Sequence, residues 1–209
     1  MWISFYNRQG VGDVLMFSKG HLDRSKIAVE TIANVTRIYN KETKETFGYN
    51  FHHISERLEI EGNGHVQLSE GQMDTLNQLI YEQGYDPIPY ENEPRIVVGK
   101  VLTCVDHEDS DHLHVTETQV GEDVYQIVCG ASNVHADMGV IVALPGAVMP
   151  NGQVIRPGEL RGVASQGMLC SAYELGRDPE HKQKGIMEVP LDLELGTPFD
   201  QLTSEQLAL

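Results

Sequence analysis

The chain has 209 residues, with 15 Lys and Arg against 31 Asp and Glu, a formal net charge of −16. That balance opposes any reading in which the whole surface attracts polyanions or acidic membranes, so a nucleic-acid partner needs a local basic patch. A hydrophobic share of 40% and a charged share of 22% exclude wholesale disorder and fibrous architectures, and the length suits two small domains better than one large one. The opening MWISFYNRQG lacks the basic and then long apolar stretch of a secretory signal, and no apolar run approaches the roughly 18 residues of a membrane span. A cytoplasmic location with no membrane partner is expected. Cys104, Cys129 and Cys170 are odd in number and widely spaced, so they read as small core residues rather than as disulfide partners or zinc ligands.

In chain order, Trp2 to Tyr6 and Val14 to Phe17 flank the polar turn 7–13 and predict a hairpin with a long loop. The runs Ile27 to Tyr39 and Thr46 to Phe51 flank the polar stretch 40–45 and predict a second. After the break at 61–64 comes a short strand, His65 to Leu68. Ser69 is placed to accept a free amide of a first helical turn, Met73, Leu76, Leu79 and Ile80 recur at helical spacing, and Gly84 ends the helix. Three prolines within 85–94 mark a domain boundary.

Beyond the boundary, Ile96 to Cys104, Leu113 to Val120, Val124 to Val128 and Val140 to Ala143 are rich in β-branched residues and read as strands. Asn151-Gly152, between Val148 and Val154, predicts a type I′ hairpin turn. A last strand is expected over Met168 to Ser171, before a helical turn ending at Leu175-Gly176. The fold class expected is α+β, mostly β: a small α+β N-terminal domain over 1–90, a small β-barrel over 91–200 and a C-terminal tail over 201–209.

The segment Asp106 to His114 packs four acids and three histidines into nine residues and invites a metal reading. A calcium loop starting at Asp106 puts Glu117 at its twelfth position, but its sixth is Asp111, where the sharp turn demands glycine. A solvated acidic turn is the better reading, and neither metal nor cofactor is expected. The phosphate-cradling glycine loops and the nucleophile elbow are absent from the sequence, and Cys129 and Cys170 lie among apolar and small residues without a neighbouring base. No catalytic residues are assigned.

Residues 95–209 hold 7 Lys and Arg against 17 Asp and Glu, with only Tyr125, Tyr173 and Phe199 as aromatics. Successive base stacking on a single strand is therefore disfavoured. Recognition of a folded RNA by shape and backbone contacts needs few aromatics, but it does need the basic groups gathered on one side.

Three ordered motifs alter the balance: Gln126-Ile127-Val128-Cys129-Gly130-Ala131-Ser132-Asn133-Val134, Ala143-Leu144-Pro145-Gly146-Ala147, and Leu160-Arg161-Gly162-Val163-Ala164-Ser165-Gln166-Gly167-Met168-Leu169-Cys170-Ser171 with Glu174-Leu175-Gly176. Over about residues 91 to 200 they resemble the EMAP-II-like tRNA-binding domain, an OB barrel found free-standing and near the N-terminus of the bacterial phenylalanyl-tRNA synthetase β chain. With its distinct N-terminal domain, the whole chain looks like the YtpR-type tRNA-binding proteins. The resemblance implies a non-catalytic tRNA-binding protein and places the RNA-binding signature on Arg161, Ser165, Met168 and Ser171, with Lys100 and Asn133 as neighbours. Arg161 suits a phosphate, the serines suit sugar or phosphate oxygens, and Met168 suits a base or ribose. The alternatives are that the serines shape a barrel corner and Met168 is core. Homodimer formation and a protein partner for the N-terminal domain stay open, as do two rival readings, a protein-interaction module and a metal-dependent enzyme.

Where the family shows His-Pro-Asn-Ala-Asp-Lys-Leu, this chain has His107-Glu108-Asp109-Ser110-Asp111-His112-Leu113. Glu108 replaces proline and His112 replaces lysine. An imidazole with an ordinary pKa of about 6.5 is a poor substitute for a permanent cation, so RNA affinity at neutral pH is expected to be weaker than in a lysine-bearing relative.

Overall fold

In the computed structural model, which describes residues 1–207, Ile3–Tyr6 (β1) and Val14–Ser18 (β2) pair antiparallel across a loop holding one helical turn, Arg8–Val11 (α1). The run from Ile27 to Tyr39 is two strands rather than one. Ile27–Ile32 (β3) reverses at Ala33-Asn34 into Val35–Asn40 (β4), with Ala33 at φ 49°. Neither glycine nor proline marks that turn, and β-branched residues on both sides conceal it. β4 pairs in turn with Thr46–His52 (β5), and a short strand, Gly64–His65 (β6), completes the order β3-β4-β5-β2-β1-β6.

One helix, Glu70–Glu82 (α2), covers a face of this sheet. It starts with a reciprocal cap: Ser69 Oγ accepts from Gln72 N while Gln72 Oε1 accepts from Ser69 N. Its Met73, Leu76 and Ile80 are buried against Leu15, Tyr49 and Phe51. Burying a side chain such as Leu76 contributes about 1.5–3 kcal/mol. These residues form one compact unit, Met1–Asn92; a second begins at Glu93.

The second unit is built on Ile96–Asp106 (β7), a strand of 11 residues. Its first half pairs with Gly139–Ala143 (β10) and its second half with His114–Val120 (β8), with a register shift between Val101 and Thr103. Close approach at Gly99 permits the bend, since a Cβ there would meet Val142 Cγ2 at 2.6 Å and Gln119 O at 3.0 Å. β8 pairs with Asp123–Cys129 (β9), Gly158–Leu160 (β11) with Val163–Ser165 (β12), and Met168–Leu169 (β13) and Glu188–Val189 (β14) with β10. The sheet β13-β10-β7-β8-β9 curls into an OB-like half-barrel, and the chain as a whole is mostly β.

All five residues of β10 are buried, and alternate residues enter different cores: Ile141 and Ala143 join Val98 and Cys170, whereas Val140 and Val142 join Val101 and Ile127. That two-sided burial explains a continuous apolar run in place of alternation.

Two expectations need correction. At Asn151-Gly152 only the glycine has positive φ, 86°. Gly152 N donates to Met149 O and Met149 N to Gln153 O, so the loop is a three-residue turn led by Pro150 rather than type I′. Of the tail expected over 201–209, Leu202 and Leu207 are buried in the core of the second unit, while 208–209 lie outside the described residues. No helix among the described residues is long and apolar enough to cross a membrane.

Candidate nucleic-acid interface

The most exposed cation among the resemblance-implied residues sits at a hairpin tip. Leu160 pairs with Val163, so Arg161-Gly162 is a two-residue turn, and φ values of 48° and 83° make it the type I′ turn that Asn151-Gly152 is not. An arginine at positive φ is uncommon and strained, by about 1 kcal/mol or more. Its side chain is exposed and one guanidinium nitrogen donates to the Asp109 carbonyl at 2.8 Å. Among the described residues, no carboxylate lies within ion-pair distance of Arg161, Arg156 or Lys184.

Three clamps hold that hairpin. Gln126 and Gln166 bond reciprocally: Gln126 N donates to Gln166 Oε1 at 3.2 Å, Gln166 N to Gln126 O at 2.8 Å, and Gln126 Nε2 to Ala164 O at 2.8 Å. Ser165 Oγ accepts from Val128 N at 3.1 Å and donates to Gly167 O at 3.2 Å. His107, 3% exposed, accepts Asp109 N on Nδ1 at 3.0 Å; its Nε2 therefore carries the hydrogen and donates to Leu160 O at 3.1 Å. The acidic turn 106–113 is thus fastened to the hairpin tip through His107 and Arg161. Both His107 ring nitrogens are spent on this, which accounts for the histidine of the apparent ligand cluster. His112 is exposed, and its Nδ1 lies 2.8 Å from Asp111 Oδ1, a contact that holds the Asp111 carboxyl below its usual range.

The six residues do not form one polar patch. Lys100 lies on β7, about 20 Å of strand from the Asp106 end, and its Nζ is 2.7 Å from Asp137. That hydrogen bond and the lysine's charge hold the Asp137 carboxyl below its usual range. Asn133 spends its amide on one neighbour, Nδ2 donating to Ile186 O and Oδ1 accepting from Ile186 N, each at 3.0 Å. Ser171 caps the turn after β13: its Oγ donates to Glu174 Oε2 at 2.7 Å and accepts from Glu174 N at 3.2 Å. Ser165 is 5% exposed and Met168 is half-buried against the core. Ser165, Asn133 and Ser171 thus each have their side-chain polar atoms bonded within the fold.

Sequence order concealed His107 and the two glutamines as structural residues, since their partners lie about 40 to 53 positions away. Burial pushes the Cys170 thiol up to about 12 and raises Cys129 and Cys104 as well.

Residues 96–198 match the family model described as "Putative tRNA binding domain", and residues 22–88 match "Domain of unknown function (DUF4479)". The "Putative tRNA-binding protein YtpR" of Bacillus subtilis (strain 168) is 42% identical over 197 residues, covering 94% of this chain and 98% of that one. The chain belongs to the YtpR family. Its C-terminal part is also similar to phenylalanine–tRNA ligase beta subunits, at 46% identity over 110 residues in Desulfotalea psychrophila and 52% over 103 residues in Sulfurimonas denitrificans. Those matches cover 53% and 49% of this chain but only 13% of either subunit. Among solved structures, a MetRS related protein from Pyrococcus horikoshii is 21% identical over 49% of this chain and 85% of that one, with a TM-score of 0.38. The YtpR relative matches nearly the whole chain, whereas the ligase subunits match about half of it.

Proposed function

We propose that this YtpR-family chain binds folded tRNA through its OB-like unit, by shape and backbone contacts, and catalyses no reaction on it. The observation that carries the reading is Arg161, held at strained positive φ on a hairpin tip clamped at three places, exposed and without a carboxylate partner among the described residues. Backbone strain persists where surrounding structure enforces it, and a planar guanidinium presented rigidly to solvent suits a phosphate oxygen. The match of residues 96–198 to a tRNA-binding family model and the name of the relative that spans nearly the whole chain support the same ligand. Burial, which raises the Cys170 and Cys129 thiols above their ordinary range, supports a binding role over nucleophilic chemistry. We place the protein in the cytoplasm, where tRNA is met.

Competition distinguishes this reading from general polyanion binding. With labelled total tRNA held on the protein, unlabelled tRNA displaces it, while unstructured poly(U) at equal nucleotide concentration is at least about tenfold less effective, because shape recognition needs the folded duplex arms. Equal displacement by both would contradict recognition of a folded RNA.

A further inference from the structure

The segment from Ser171 to Ile186 is a loop built from both ends. Ser171 and Glu174 cap its first turn, Met187 N donates to Cys170 O at its base, and the Asn133 amide clamps Ile186. Inside it, Asp178, 8% exposed, accepts Gln183 N on Oδ2 at 2.7 Å, and its carbonyl accepts His181 N at 3.0 Å. Ser171 of the signature implied by the resemblance and its implied neighbour Asn133 thus serve the same loop.

The loop displays one feature that nothing in the core requires. Tyr173 is 49% exposed, and the His181 ring lies parallel to it, with centroids 4.6 Å apart and planes 18° apart. His181 holds φ 52°, a conformation L side chains seldom adopt, and the parallel ring placement is achieved in that strained state. The same stretch of sequence is rich in cations. Arg177, Lys182 and Lys184 place three of the seven Lys and Arg of residues 95–209 within eight positions. The acids among them are occupied: Glu174 by Ser171, Asp178 by Gln183 and Glu180 by Lys182 at 2.7 Å. That last pair is exposed on both sides, so a phosphate can replace the carboxylate at little cost.

We propose that the Tyr173–His181 stack is a platform for one unpaired nucleobase of the bound RNA, with Lys182 and Lys184 on its flanking phosphates. The inference rests on the tRNA reading above and refines it. One platform holds one splayed base from a loop or an end, set against a folded body, so the scarcity of aromatics that argues against a tracking single-strand binder does not count against it. Asn133 and Ser171 are positioning residues, fixing the loop that presents the stack.

The test is filter binding of total tRNA to the full chain and to Tyr173→Leu, Tyr173→Phe and the double variant Lys182→Ala/Lys184→Ala, each checked for an unchanged thermal midpoint. The Leu variant keeps bulk but loses the ring and should bind roughly five- to hundredfold more weakly, with an unchanged salt slope; the Phe variant should bind as the parent does. The double lysine variant should lower the salt slope by about one to two. A Tyr173→Leu affinity within twofold of the parent overturns the platform while leaving tRNA binding intact. Failure of the parent itself to bind tRNA overturns the underlying reading and the platform with it.

Discussion

At Arg161 two demands on one residue separate cleanly. The type I′ turn favours Asn or Gly at that position, because positive φ there brings Cβ close to the carbonyl oxygen, while a phosphate contact favours a cation. Arg161→Asn should therefore leave the thermal midpoint equal to or above the parent's, as relief of strain offsets loss of the bond to Asp109, and weaken tRNA binding several-fold. Calorimetry and filter binding on the same preparation read both quantities. A lowered midpoint with unchanged affinity would make Arg161 a structural residue. The family resemblance named Arg161 together with Ser165, Met168, Ser171, Lys100 and Asn133 and did not set it apart. The roles of Ser165, Asn133 and Ser171 were not legible in it, because a serine or asparagine in a string gives no sign of whether its hydrogen bonds are already taken. The same holds for His107, whose neighbours in sequence suggest a metal ligand and whose neighbours in space make it a pin.

Elements differ in how openly they declare themselves. The helix α2 was readable from its cap and its 3–4 spacing, since both signals are local. The turn between β3 and β4 was not, lacking glycine or proline, and the hairpin β11–β12 carries no apolar alternation: all of Gly158–Leu160 is exposed, and polar clamps rather than burial hold the hairpin. Such an element should be sensitive to a single polar loss. His107→Leu retains bulk but leaves Leu160 O and Asp109 N without their partner, each a penalty of about 1–3 kcal/mol if buried. Amide hydrogen exchange at 158–165 should accelerate by at least about tenfold, with tRNA affinity reduced, while the exchange of β7 and β10 stays unchanged. Unaltered exchange in the hairpin would show that the glutamine and serine clamps suffice alone.

For the whole chain, composition argued against a polyanion partner and the ordered motifs argued for one. Both have a basis in the structure. The cations of the second unit are not massed: Lys100, Arg95 and Lys182 each face a carboxylate, and Arg177 lies over the Phe199 ring. What the fold supplies instead is two small presentations of charge, the Arg161 hairpin tip and the 177–184 loop. Neither was legible from residue counts, since a net charge of −16 says nothing about which acids are spent on neighbours. The OB-like half-barrel, by contrast, was expected from the family resemblance of its motifs, which overlap β9, the last residue of β10 and the hairpin through to β13. A chain this acidic can hold tRNA only by local phosphate contacts, and those release counterions. The most direct measurement is filter binding of total tRNA to the intact chain at about 50 and 200 mM salt. Saturable binding that weakens by roughly tenfold or more between them is the predicted result, as expected for a few phosphate contacts; no saturable binding at the lower salt, or an affinity indifferent to salt, would contradict it.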